Sequence, residues 1–600
     1  HATFSAAPGV DRWRPPQDHC GRCVSLGDPK RGGWPRFRRA PAAGMSDRAN
    51  ELVFAPLGGV GEIGMNLALY GFGPQRKRAW IAVDLGVAFA GDDLPGIDLI
   101  MPDIRFLIRE KRDLRALVLT HAHEDHFGAL MDLWPQFRAP VYATPFTAAL
   151  FEAKRLSEPG APEVPIHVVP LGGRLSLDPF DVEFVSVAHS IPESNALIIR
   201  TPAGAVLHTG DWKLDPHPAI GPPTDEAKLR ALGEAGCLAV MGDSTNAVRA
   251  GRSPSERDVA KTLGELIASA PARVAVTTFA SHVGRIRSVA EAASACGREV
   301  VLIGRAMERI AQVAHETGYL KGIRPFRSAE SFGHLPRERV VALCTGSQGE
   351  PRSALARIAE DNHPDVSLDK GDRVIFSSRT IPGNEKAVNR VINGLVDQDI
   401  EVITDRTHLV HVSGHPRRDE MKDLLSWVRP RIVVPVHGEA LHLAEHASLA
   451  RESGVKETIL CRNGDLVRLA PEPAGIVDEV PQGRLYKDGA LLVQGESRTV
   501  ADRRRLAYVG IVSVAVALDD AGMVVAEPEV ELIGIPEADA AGRSFADIVS
   551  ETAAKTVETL PRPRRRDPDT VAEAVRRAVR ARVAGGWGKK PLCVVHVLTV

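Results

Sequence analysis

Apolar and polar positions alternate in short runs over residues 50–245. The runs 80–83, 117–119, 182–187 and 205–207 are rich in Val, Ile and Leu and are bounded by polar turns, so they read as strands. Helical periods lie between some of them, which predicts a layered α/β domain over 50–246. A second pattern covers 247–405. Runs 274–276, 300–302, 340–343 and 374–376 read as buried strands, each separated from the next by a helix-length segment. That spacing predicts a doubly wound sheet inserted as a unit. Residues 406–470 return to strand, helix and strand.

Residues 471–500 contain several prolines and read as a linker. The remaining segment, 501–600, predicts a small α+β domain. It has a hairpin of 508–518 with 523–533 across Asp519, Asp520, Ala521 and Gly522, then two helices and a last strand over 592–598. The first 44 residues lack any apolar period and are rich in Pro, Gly and Arg. Residues 1–49 are therefore expected to be a disordered extension, or else Met45 is the natural start. A transit peptide ranks lower, since no amphipathic helix is visible.

Composition narrows the class. Six hundred residues predict two to four domains, and 44% apolar with 25% charged residues is ordinary for a globular protein. There is no apolar run of about 20 residues, so no membrane span is expected. Seventy-five Lys and Arg balance 76 Asp and Glu, so nucleic-acid binding would need a local basic groove. Seven scattered Cys fit a reducing cytoplasm. Cys20 and Cys23, without a second pair, read as coincidence rather than a zinc knuckle.

Gly59, Gly61 and Gly64 match a dinucleotide-binding fingerprint in spacing. That fingerprint needs a helix next, to hold pyrophosphate at its N-terminus. A strand-like run over 65–70 follows instead, so the glycines predict a tight hairpin beside a site.

The strongest chemical signal is His121, His123, Asp125 and His126, directly after a strand over 116–120, with a helical pattern from Phe127. Three His in six positions, from only 20 in the chain, make a chance polar loop a poor explanation. Imidazole and carboxylate donors suit zinc or manganese. Three further candidates each follow a strand-like run: His189, Asp211 and His437. Together they complete three plus three ligands with one bridging carboxylate.

This set resembles the metallo-β-lactamase superfamily. The resemblance implies one metal on His121, His123 and His189, and another on Asp125, His126 and His437, with Asp211 bridging. Asp84 matches the first-motif aspartate and would orient ligands or water. Asp243, His415 and His437 match motifs A, B and C of the β-CASP nucleases, and 247–405 matches their inserted domain.

Longer strings are similar to the bacterial ribonuclease J family: Leu57 to Gly64, Thr277 to His282, Thr345 to Pro351, Ile381 to Glu385 and His411 to His415. The implied fold is a metallo-β-lactamase αββα sandwich with an inserted α/β β-CASP domain and a small α+β C-terminal domain. The implied activity is two-metal hydrolysis of RNA, 5′→3′ exonucleolytic from 5′-monophosphate ends and also endonucleolytic, in mRNA decay and rRNA maturation. The implied cofactors are two divalent ions, zinc first and manganese or magnesium otherwise. The implied partners are single-stranded RNA and further copies of the chain, as a homodimer or homotetramer in the cytoplasm.

His415 is the candidate general acid or phosphate contact, and Asp243 is expected to orient His437 or another ligand. A 5′-phosphate pocket is expected from Ser281, His282, Arg285, Ser377, Ser378, Arg379, His411, Ser413 and Gly414. The arginines at 562, 564–566, 576, 577, 580 and 582 fit RNA phosphates or a solvated helix face equally well. The competing readings are a DNA-processing β-CASP nuclease and a small-molecule metallo-hydrolase. The latter needs neither the insertion nor His415.

Overall fold

The computed structural model describes residues 49–600. Met45, Cys20, Cys23 and the expected extension over 1–48 lie outside the described residues.

Two large sheets face each other. The first has eight strands and runs Gly475–Glu479, Asp465–Ala470, Glu51–Gly58, Leu67–Gly73, Ala79–Val83, Leu114–Val118, Val141–Ala143, Ile166–Val168. The second has seven and runs Glu457–Thr458, Ile432–Val436, Cys237–Asp243, Gly204–His208, Asn195–Thr201, Phe180–Ser186, Arg174–Leu177. Leu52, Phe54, Ile81 and Val118 from the first meet Phe184, Leu197, Met241 and Val434 from the second, all fully buried. Alternation sends every other side chain of each strand into this layer. The outer faces carry helices: Pro145–Leu156 on one side, Glu226–Ala235 and Arg418–Val428 on the other. This is the layered α/β domain that the alternation predicted, and the αββα sandwich that the family resemblance implied.

The chain leaves the sandwich after Cys237–Asp243 and returns at Ile432–Val436. These two strands pair in parallel, with Asp243 opposite Val436. Between them stands a five-stranded sheet of order Glu299–Ile303, Val340–Cys344, Val274–Thr277, Arg373–Phe376, Glu401–Ile403, every pair parallel. The order departs from the sequence at Val274–Thr277, whose carboxyl end faces the loop after Arg373–Phe376. Such a switch point leaves a crevice.

The expected linker over 471–500 is instead structured. Gly475–Glu479 extends the first sheet, and Arg484–Asp488 pairs with Leu99–Pro102. Leu485 and Tyr486 are buried there, so this segment gains its stability from a partner nearly 400 residues away. The expected hairpin is also shifted. Tyr508 lies in the last turn of the helix Arg498–Val509, and the antiparallel pair is Ile511–Leu518 with Glu529–Ile533. The last strand, Leu592–Thr599, pairs in parallel with Ile511–Leu518, and helices Phe545–Thr559 and Pro568–Trp587 cover its buried face.

Candidate active site

The site lies at the carboxyl ends of strands from both large sheets. Leu114–Val118 leads into His121, and His123 caps the N-terminus of a short helix, Glu124–Phe127. The helix starts at Glu124, three residues before the sequence pattern placed it, because the His123 carbonyl already accepts from His126 and Phe127 N–H. Asp125 and His126 therefore sit in its first turn. Glu124 turns outward to Lys154, 2.7 Å away.

The seven expected ligands form two sets around Asp211. In one, His121 Nε2 and His189 Nε2 each lie 3.1 Å from His123 Nδ1 and 3.8 Å from Asp211 Oδ2. In the other, His126 Nε2 and His437 Nε2 lie 3.3 and 3.6 Å from Asp211 Oδ1, with Asp125 Oδ2 3.6 and 3.3 Å from the same two nitrogens. Asp211 thus turns one oxygen to each set. The donor atoms within each set all lie within 4.8 Å of one another.

These residues fit divalent ions. Asp211 Oδ1 is buried and accepts no hydrogen bond, which is costly for a carboxylate without a cation. Burial pushes the imidazoles of His121, His123 and His189 down, His123 to about 4, so these nitrogens converge as neutral lone-pair donors. Burial also works against the charge of Asp211, but His437, His126 and His415 outweigh it and hold the carboxyl well below the usual range. The matching effect raises His126 and His437: burial disfavours their protonation, and Asp211 with its neighbouring carboxylates overcomes that.

A surrounding shell fixes the ligands. Asp84, 1% exposed and at φ 63°, accepts from Thr120 N–H at 2.7 Å and Thr120 O–H at 2.8 Å. Its Oδ2 lies 2.7 Å from His126 Nδ1, which leaves Nε2 of that ring for the site. His189 Nδ1 pairs with the Gly414 carbonyl at 2.8 Å, which likewise aims its Nε2 inward. Asp243 Oδ2 lies 2.7 Å from His415 Nδ1, and its Oδ1 accepts from Thr245 O–H at 2.7 Å. Thr245 Oγ1 in turn lies 2.8 Å from His437 Nδ1. Asp243 therefore orients both histidines. His415 Nε2 is left facing the site, 3.9 Å from Asp211 Oδ2. Burial opposes protonation of His415, yet Asp243 and Asp211 raise it above its ordinary value. Thr120 and Thr245 were not singled out from the sequence.

The expected phosphate pocket is only partly open. Arg285 is fully buried; its guanidinium reaches Glu256 at 2.8 Å, the Val410 carbonyl at 2.8 Å and Ser377 Oγ. His282 Nε2 lies 3.3 Å from Glu256, and Ser377 O–H donates to the Val410 carbonyl at 2.7 Å. These three side chains tie elements together and do not line a channel, contrary to the sequence expectation. The reason is packing: helix Val283–Ala295 lies against Glu256–Ser269, which closes over them. Ser413 Oγ accepts from Asn246 at 2.9 Å and is spent on the loop. Gly414 serves close approach, since a Cβ there would lie 2.6 Å from His189 Nδ1. Of the other expected residues, Ser378 is buried and Arg379 exposed, and His411 Nδ1 is buried without a hydrogen-bond partner, while Ser281 is half-buried.

Comparison with known proteins agrees with this geometry. The model for the metallo-beta-lactamase superfamily matches residues 83–267, and that for the ribonuclease J beta-CASP domain matches 271–395. A Zn-dependent metallo-hydrolase RNA specificity domain matches 399–461, and a ribonuclease J C-terminal domain 498–600. The chain is 53% identical over 550 residues to ribonuclease J of Sinorhizobium meliloti, covering 92% of this chain and 98% of that one. It is 40% identical over 474 residues to ribonuclease J of Thermus thermophilus, covering 76% and 81%. Against ribonuclease J of Mycolicibacterium smegmatis it is 38% identical over 561 residues, covering 91% and 96%. The two sheets, the inserted domain and these likenesses lead to one conclusion: the chain belongs to the ribonuclease J family.

Proposed function

We propose that this chain hydrolyses phosphodiester bonds of single-stranded RNA, as a 5′→3′ exonuclease favouring 5′-monophosphate ends and as an endonuclease. The observation that carries the reading is Asp211, whose two oxygens face two separate nitrogen sets under His415. His121, His123 and His189 would hold one divalent ion and Asp125, His126 and His437 the other. The donor set suits zinc, with manganese or magnesium as alternatives. Two bound ions would offset phosphate charge and lower the pKa of water enough to make a nucleophile near neutral pH.

The chain's own residues do the rest. Asp84 and the Gly414 carbonyl fix the ring orientations of His126 and His189. His415, held through Nδ1 by Asp243, presents Nε2–H to the leaving sugar oxygen and donates the proton it needs. Asp243 stays ionised and holds the ring.

The 5′-phosphate would fall to the loops that follow Val274–Thr277 and Arg373–Phe376, with Ser281, Ser378, Arg379 and His411 as its candidate contacts. Crevices at the carboxyl ends of such strands are the usual ligand sites of open α/β sheets. The RNA specificity match over 399–461 favours RNA over DNA. No helix among the described residues is long and apolar enough to cross a membrane. The proposed setting is the cytoplasm, in mRNA decay and rRNA maturation. A homodimer or homotetramer completes the proposal.

Purified protein with zinc or manganese, offered 5′-monophosphorylated RNA, 5′-triphosphorylated RNA and matched DNA, tests it. Mononucleotides are expected from the first, fewer from the second and none from the third. Equal cleavage of DNA would overturn the substrate assignment.

A further inference from the structure

The glycine run that mimics a dinucleotide fingerprint has a different use. Residues 58–66 fold back over Asp125, His126 and His437. The Gly59 carbonyl accepts from His437 N–H at 2.7 Å, and Val60 and Glu62 both bridge to Gly438. Asn463 ties the loop from outside, accepting from Val60 N–H at 3.2 Å and donating to Glu62 at 2.6 Å.

Asn66 closes the other flank. Its backbone N–H and its Nδ2 both donate to the Asp125 carbonyl, at 3.0 and 2.9 Å. Nδ2 also lies 3.1 Å from His126 Nε2 and 3.5 Å from Asp125 Oδ2, two ligand atoms whose lone pairs a bound ion would take instead, so the Asp125 carbonyl is the contact that persists. The Asp125 carbonyl accepts only, so it fixes which end of the carboxamide is NH2. Oδ1 then faces Gly59, at φ +80°, where a Cβ would lie 2.2 Å from Asn66 Oδ1. Only glycine leaves room for that carboxamide and adopts that backbone readily. No hydrogen bond joins Asn66 to His121, His123 or His189 among the described residues.

We propose that Asn66, seated by Gly59, is a positioning residue for the second metal set alone, holding the Asp125 carbonyl and through it the turn that presents Asp125 and His126. The proposal rests on the ligand sets given above. A donor that orients a ligand typically changes metal affinity by about 10- to 100-fold when removed. The first set, which Asn66 does not touch, should keep its affinity.

The test titrates the metal-free full chain with zinc against a chromophoric chelator. Asn66→Ala should bind one of two ions about 10- to 100-fold more weakly and the other as wild type does. In a His189→Ala background, which cripples the first set, Asn66→Ala should still weaken binding. In a His437→Ala background it should add nothing further. Unchanged affinity for both ions, or equal weakening of both, would overturn the proposal. Asn66→Ser, which like alanine keeps the backbone donor but retains a small polar side chain, is the companion variant. If both variants are unfolded without metal, Asn66 is a purely structural residue and the proposal fails. A wild-type chain that binds no zinc would instead sink the ligand sets themselves.

Discussion

Glu256→Gln removes the centre of a buried charge cluster that joins the sandwich to the inserted domain. Glu256 is 3% exposed and contacts Arg285 at 2.8 Å, His282 at 3.3 Å and Lys213 at 3.7 Å. Lys213 also pairs with Asp215 at 3.1 Å, and Asp215 accepts the backbone N–H of Glu256 at 2.8 Å. Glutamine keeps the shape but leaves Arg285, itself fully buried, without its carboxylate. Stranding one partner of a buried pair costs about 3–5 kcal/mol. Amide exchange in helix Val283–Ala295 should then quicken by about two to three and a half powers of ten. The effect depends on pH. Burial opposes the charge of Glu256, but Arg285, His282 and Lys213 hold its carboxyl well below the ordinary 4.5. A depressed carboxylate stabilises fully above its unfolded value and loses that contribution as pH falls through the folded one. The gap between wild type and variant should therefore be constant above pH 4.5 and shrink below it. Exchange in that helix altered by less than about tenfold at neutral pH would refute the cluster's importance.

Three further variants probe the site. Asp84→Asn replaces the acceptor facing His126 Nδ1 with an amide, so zinc affinity measured by chelator competition should fall about 10- to 100-fold. Gly414→Ala places a Cβ 2.6 Å from His189 Cε1 and Nδ1, and should displace that ring. Its zinc content, read by elemental analysis, should drop while the far-ultraviolet circular dichroism stays unchanged. Asp243→Asn frees His415, so kcat for RNA should fall about 100- to 10,000-fold with little change in KM, as steady-state kinetics would report.

Much of the candidate site was legible because its residues are rare types at strand ends. His121 to His126 stand in one loop, and His189, Asp211 and His437 each follow a buried run, so topology alone brings them to one edge. The orienting shell was less legible. Thr120, Thr245 and Asn66 are common residue types, and nothing local marks their partners. Arg285 and Ser377 misled for the opposite reason. A charged or hydroxyl residue in a loop after a strand reads as a binding group, yet Glu256 stands 29 positions before Arg285 and consumes it. The segment 471–500 misled in the same way. Its prolines read as a linker, while its strand partner at Leu99–Pro102 is remote in sequence.

The double variant Asp125→Ala, His126→Ala removes two ligands of one set and leaves the other whole. Zinc content and mononucleotide release from 5′-monophosphorylated RNA, measured on the same preparations, test the two-metal nuclease directly. The wild-type chain should hold two ions and release mononucleotides; the variant should stay folded, hold one ion and release none. A variant that cleaves RNA at the wild-type rate would contradict the metal assignment and with it the proposed chemistry.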